Sequence, residues 1–175
     1  EPDVFISFGL ILIVWIFSLT LHEFSHAIVA YWGGDHTVRE KGYLTFNPLK
    51  YTHPLLSLGL PLLFLALGGI GLPGGAVYIE THRLRSKWWR TAVSLAGPFS
   101  NMICAFVLAA PFYLGLIEID PFGGPFRLQD ASRWEAALAF SVFLQITAVI
   151  LNMLPIPPLD GFNAISPYLP ESVVR

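Results

Sequence analysis

The sequence predicts an all-α polytopic membrane protein, with three core transmembrane helices plus a re-entrant element carrying short β-strands, all in a single domain over residues 1–175. Three observations predict it. Hydrophobic residues make up 54% of the 175 positions and charged residues only 13%, against roughly 25% charged in soluble globular domains. The apolar residues fall in long runs, and the basic residues gather in a few short loops between them.

The first span covers about 4–32 and ends at Gly33-Gly34, a helix-stop signal. It opens beside Glu1 and Asp3 and lacks the basic n-region of a signal peptide. The second span, 91–117, holds no charged side chain, and the third, 134–154, is closed by Pro155, Pro157 and Pro158. Each meets the ~20 residues that a helix needs to cross a bilayer. Between the first two spans, 43–79 reads as a re-entrant apolar and β-like segment. Tyr43–Phe46 and Ala76–Ile79 have strand-like composition, and His53–Gly71 is apolar but broken by Gly59, Pro61, Gly68, Gly69 and Gly71.

Lysine and arginine mark cytoplasmic loops. Arg39, Lys41 and Lys50 precede the broken apolar stretch, and Arg83, Arg85, Lys87 and Arg90 follow it. Both flanks therefore belong on the cytoplasmic side, with His53–Gly71 entering the membrane and returning. Trp88-Trp89 beside these basic residues reads as an interfacial anchor. A net charge of −2 leaves no basic face for nucleic acid. Cys104, the single cysteine, has no partner for an internal disulfide and reads as packing. Nothing in the sequence sets the oligomeric state.

The chemistry concentrates in His22-Glu23-Phe24-Ser25-His26, an H-E-x-x-H pattern. On a helix, positions i and i+4 share a face, so both imidazoles can reach one metal ion, with Glu23 beside them as general base. A structural cluster is the bland alternative. It is disfavoured because a charged side chain at mid-span costs at least about 2.5–3.5 kcal/mol. Zinc in catalytic sites takes three protein ligands plus an open position. The remaining spans offer few ionisable groups, and Asp160, just past the prolines of the third span, is the candidate; an interfacial helix cap is its other reading. The topology allows the meeting: with 91–117 as the one full crossing between them, the first and third spans run the same way. His36, His53 and His82 lie on loops or span ends and read as interfacial.

These blocks together resemble the site-2 protease family of intramembrane zinc metalloproteases. His22-Glu23-x-x-His26 is similar to its zinc-binding helix, Ala96-Gly97-Pro98-x-x-Asn101 to its second block, and Asn152-x-x-Pro155-x-x-Pro158-Leu159-Asp160-Gly161 to its third. Gly34-Asp35 and the 42–50 segment resemble the compact branch that lacks a PDZ domain. The sequence departs from the pattern at Phe162, Asn163 and 51–54, outside the ligand set. The resemblance implies one Zn2+ per chain on His22, His26 and Asp160, and Glu23 as base for a zinc-activated water. It also implies that Asn152 holds the oxyanion or substrate and that Asn101 supports the site through helix packing. It further implies transmembrane-helix protein substrates met in the lipid bilayer of a prokaryotic cell membrane, with the active site toward the cytoplasm. An unwound substrate is expected to add to a strand edge at 43–46 or 76–79 by β-augmentation. Other classes are a catalytically silent metal-binding protein, either a pseudoprotease or transporter-like, and a metal-free scaffold.

Overall fold

The computed structural model describes residues 2–51, 77–117 and 132–170. The apolar stretch His53–Gly71, Ala76, and all but the end of the 118–133 loop lie outside them. Five α-helices are described: α1 (Pro2–Gly33), α2 (Thr37–Glu40), α3 (Lys87–Tyr113), α4 (Arg133–Asn152) and α5 (Asp160–Ile165). Among the described residues three segments are long and apolar enough to cross a membrane: Phe5–Gly33, Lys87–Tyr113 and Arg133–Asn152.

The distribution of side chains is that of a protein whose solvent is lipid. Phe5, Ile13 and Phe17 on α1 are 78%, 67% and 56% exposed, whereas Ser18, Thr20, His22, Glu23 and His26 on the same helix are buried. Polar groups at membrane depth must find partners inside the protein, so the bundle turns them inward.

Two of the expected span limits shift. The second helix begins at Lys87 rather than Thr91, taking Lys87 and Arg90 into its first turn. It stops at Tyr113 rather than Ile117 because Gly115 adopts a positive φ of 70° just beyond it. The third ends at Asn152, close to expectation, and the chain turns through the prolines before α5. Its start is fixed by Glu135, whose Oε2 accepts from both the amide and the hydroxyl of Ser132 at 2.7 Å.

Cross-helix contacts give the directions. Ser7 Oγ donates to Arg133 O at 3.4 Å and Gln145 Nε2 to Ser18 Oγ at 2.8 Å, so α1 and α4 advance together and are parallel. His22 meets Asn101 while His26 meets Val93, so α3 runs antiparallel to α1. The first and third spans thus share a direction, as the topology argument expects.

Beyond the end of α1, Gly34 reverses the chain at a φ of 117°. Asp35, fully buried, then ties two segments together. Its Oδ1 accepts from the amide and hydroxyl of Thr37 at 3.1 and 2.6 Å, and its Oδ2 accepts from the Glu80 amide at 2.7 Å. The Glu80 carboxylate takes Lys41 Nζ at 2.9 Å and Arg83 Nε at 2.5 Å. These partners, Lys41 first, hold its pKa down at about 2.

The expected β-strands are corrected where they are described: no strand occurs among the described residues. Residues 44–46 are bends. Tyr43 N bonds back to Val38 O at 2.9 Å, and the Tyr51 hydroxyl takes the Thr45 carbonyl, leaving no ladder to form. Residues 77–80 lie outside any regular element, and their amides serve carboxylates in place of a neighbouring strand: Val77 N donates to Glu23 and Glu80 N to Asp35.

Candidate metal centre

His22 and His26 sit one turn apart on α1, with ring centroids 4.7 Å apart and rings nearly perpendicular. Their Nε2 atoms are 3.0 Å apart. Asp160, in the first turn of α5, places Oδ2 at 3.2 Å from His22 Nε2 and Oδ1 at 3.4 Å from His26 Nε2. One ligand atom from each of the three residues lies within 4.8 Å of the others. Both histidines are buried, at 5% and 7% exposure.

The far nitrogens decide which atoms face the centre. His26 Nδ1 lies 2.6 Å from Val93 O, which can only accept, so that nitrogen donates its proton. His22 Nδ1 lies 2.9 Å from Asn101 Oδ1 and donates to it. In the neutral imidazoles the lone pairs therefore sit on the two Nε2 atoms. Three electron-pair donors then converge on one buried point, an arrangement that a cation relieves. Two imidazoles and a carboxylate are donors suited to zinc, and histidine ligands anchored through their second nitrogen are the usual accompaniment.

The backbone around the centre is cut to fit. A Cβ on Gly97 would collide with the Nε2 atoms of both histidines, so only glycine lets α3 approach α1 here. A Cβ on Gly161 would meet the carbonyl oxygens of Met153 and Leu154, so the tight turn from α4 into α5 also requires glycine. Thr91 Oγ1 donates to Ala164 O at 2.7 Å and ties α5 to α3.

A cavity of about 610 Å³ opens beside these groups. All five residues singled out from the sequence line it: His22, Glu23, His26, Asn152 and Asp160. Glu23 is 4% exposed, and its Oε2 accepts from the Val77 amide at 3.0 Å. Asn152, 5% exposed, closes another side. Asn101 touches His22 directly, in keeping with a supporting role. Sequence reasoning missed the Val93 carbonyl and the Val77 amide, which no side-chain pattern announces. It also missed the packing role of Gly97, which a glycine inside an apolar helix could have signalled.

Fold and centre together define a helical membrane protein with a His–His–Asp donor set, its two histidines buried, and an adjacent glutamate. The chain is 51% identical over 168 residues to the protein named "Putative zinc metalloprotease Rip2" of Mycolicibacterium smegmatis, covering 94% of this chain and 60% of that protein. It is 50% identical over 166 residues to the protein of the same name from Mycobacterium tuberculosis. It is 36% identical over 170 residues to "Putative zinc metalloprotease YwhC" of Bacillus subtilis, covering 93% of this chain and 70% of that protein. The chain belongs to the family that these proteins form. It spans about 60% of the length of its Rip2 relatives. No protein-family model and no solved structure matches it.

Proposed function

We propose that this chain is the core of an intramembrane zinc metalloendopeptidase of the site-2 protease type, cleaving membrane-protein substrates in or near their transmembrane segments. The observation that carries the reading is the convergence of His22, His26 and Asp160 beside Glu23, deep among apolar helices. His22 and His26 through Nε2, and Asp160 through its carboxylate, would hold one zinc ion. Bound there, zinc would supply Lewis acidity and lower the pKa of a water to around 7.

The side chains do the rest. Glu23 accepts a proton from the attacking water and later delivers it to the nitrogen of the leaving amine, so the carboxylate is regenerated. The Val77 amide holds Glu23 Oε2 and fixes the orientation of the base. Asn152 offers its carboxamide N–H to the substrate carbonyl as negative charge builds on it. A substrate helix has its carbonyls hydrogen-bonded and must unwind to be cut. Val77, Tyr78 and Ile79 line the cavity outside any regular element, and an unwound segment would run alongside them. Proline substitutions across 77–79 that left cleavage unchanged would remove this part of the reading.

The chain is read as crossing a prokaryotic cell membrane several times, with the centre toward the cytoplasm. Lys41, Arg83, Arg85, Lys87 and Arg90 lie at the same end of the bundle as the α1 C-terminus, which supports that orientation. The deciding experiment measures zinc content of the detergent-purified protein and its cleavage of a transmembrane peptide, with Glu23→Gln alongside. About one zinc per chain in both, with cleavage lower by roughly 10²–10⁴ in the variant, is the expected result. Zinc without cleavage by the wild type would instead mean a silent metal-binding protein.

A further inference from the structure

Behind the metal centre, between α1 and α4, lies a second cavity of only about 30 Å³, whose walls include Trp15, Ser18, His22, Asn101, Gln145 and Asn152. His22 and Asn152 line the large cavity as well, so these two side chains border both spaces. Gln145 is 1% exposed. Its Nε2 donates to Ser18 Oγ at 2.8 Å, and Ser18 Oγ donates its own proton to Trp15 O at 3.0 Å. Gln145 Oε1 has no hydrogen-bond partner among the described residues.

Turning the amide over does not cure this. The Ser18 proton is already committed to Trp15, so one end of the Gln145 amide faces the chamber unpaired in either orientation. Buried amide groups are nearly always paired. A polar chamber needs roughly 10–15 Å³ and two to four polar partners to hold a water molecule, and this one provides both.

We propose that the small chamber is a water-binding site, and that Gln145, through water held there, is a positioning residue for Asn152. The water donates to Gln145 Oε1 and accepts one N–H of the Asn152 carboxamide. The second N–H of that carboxamide is then left for the large cavity, where a substrate carbonyl would lie. The positioning half rests on the reading of Asn152 as a substrate-binding group; the water half does not depend on proteolysis.

The test has two parts, both on the intact zinc-loaded protein. A structure at a resolution that shows ordered water is expected to place one within hydrogen-bond distance of the Gln145 amide, and a dry chamber overturns the proposal. In peptide cleavage, Gln145→Leu is expected to lower kcat about tenfold, the order that loss of one orienting hydrogen bond produces, with KM and zinc content unchanged. Gln145→Glu keeps an oxygen acceptor in the place of Oε1 and is expected to recover most of the loss. In an Asn152→Ala background, Gln145→Leu is expected to have no further effect. A loss that persists in that background, or a Gln145→Leu protein with lowered Tm and unchanged kcat, overturns the positioning role. Ordered water in a wild-type protein that cleaves nothing would sink the protease reading and leave the water site standing.

Discussion

His22 Nδ1 and Asn101 Oδ1 lie 2.9 Å apart although 79 residues separate them in the chain. The bond joins α1 to α3 and at the same time turns the other histidine nitrogen toward His26 and Asp160. One contact thus serves both packing and chemistry, which makes Asn101 a sensitive place to intervene. Asn101→Ala is expected to weaken zinc binding by about 10- to 100-fold, the range seen when a histidine ligand loses its anchoring partner. Asn101→Asp keeps the acceptor and should retain most of the affinity. Competition against a fluorescent chelator measures both, and equal affinities for wild type and Asn101→Ala would refute the role.

Gly97 gives a sharper test of helix approach. One methyl group at this position meets both imidazoles, so α3 must withdraw or the histidines must rotate. Overpacking of this kind costs about 1–3 kcal/mol. Gly97→Ala is expected to lower Tm and to abolish zinc binding together. A variant that still binds zinc with wild-type affinity would mean that the helices pack differently from the contacts described above.

The Glu80 cluster makes a prediction about pH. Its carboxyl is lowered from 4.5 to about 2, chiefly by the hydrogen bonds of Lys41 and Arg83. A depressed folded-state pKa contributes stability that is full above the unfolded value and is lost as pH falls through about 2. The stability difference between wild type and Glu80→Gln should therefore be constant from neutral pH to about 4.5 and shrink below it. Carboxyl-carbon NMR of Glu80 reads the midpoint directly, and an ordinary value near 4.5 would remove the effect.

Asp35 is expected to matter more than its distance from the metal centre suggests. It is fully buried and accepts three hydrogen bonds, one of them from the Glu80 amide that anchors the 77–80 segment. Hydrogen bonds to a charged group contribute about 1.5–3 kcal/mol, so Asp35→Ala should destabilise by at least about 3 kcal/mol. Because Val77 at the other end of that segment holds Glu23, the same variant should lower cleavage while zinc content stays intact. Thermal melting and metal analysis on one preparation separate the two effects.

Much of the centre was legible because its residues are unusual where they stand. His22, Glu23, His26 and Asp160 are ionisable groups in or beside apolar spans, and the cost of burying them there points to one another as partners. The shared direction of α1 and α4 followed from counting crossings. Asn101 was legible through its block, though its contact with His22 was not. Gln145 carries no charge and belongs to no motif, so a search for ionisable side chains passed over it. The Val93 carbonyl and Val77 amide are backbone groups whose roles arise only from packing. The β-like runs failed for a different reason. Strand composition needs a neighbouring strand to act upon, and here Val38, Glu23 and Asp35 take the amides first.

The donor set joins α1 to α5, with α3 and α4 between them in the chain, and this orders events during synthesis. Both histidines leave the ribosome before α3, α4 and the carboxylate that joins them. Their carboxylate is made only after α3 and α4, and it reaches them only once α4 has been laid alongside α1. A chain interrupted between His26 and Asp160 carries both imidazoles and Glu23 but lacks the third member of the donor set. The donor set is therefore complete only once α5 has followed α3 and α4 into place.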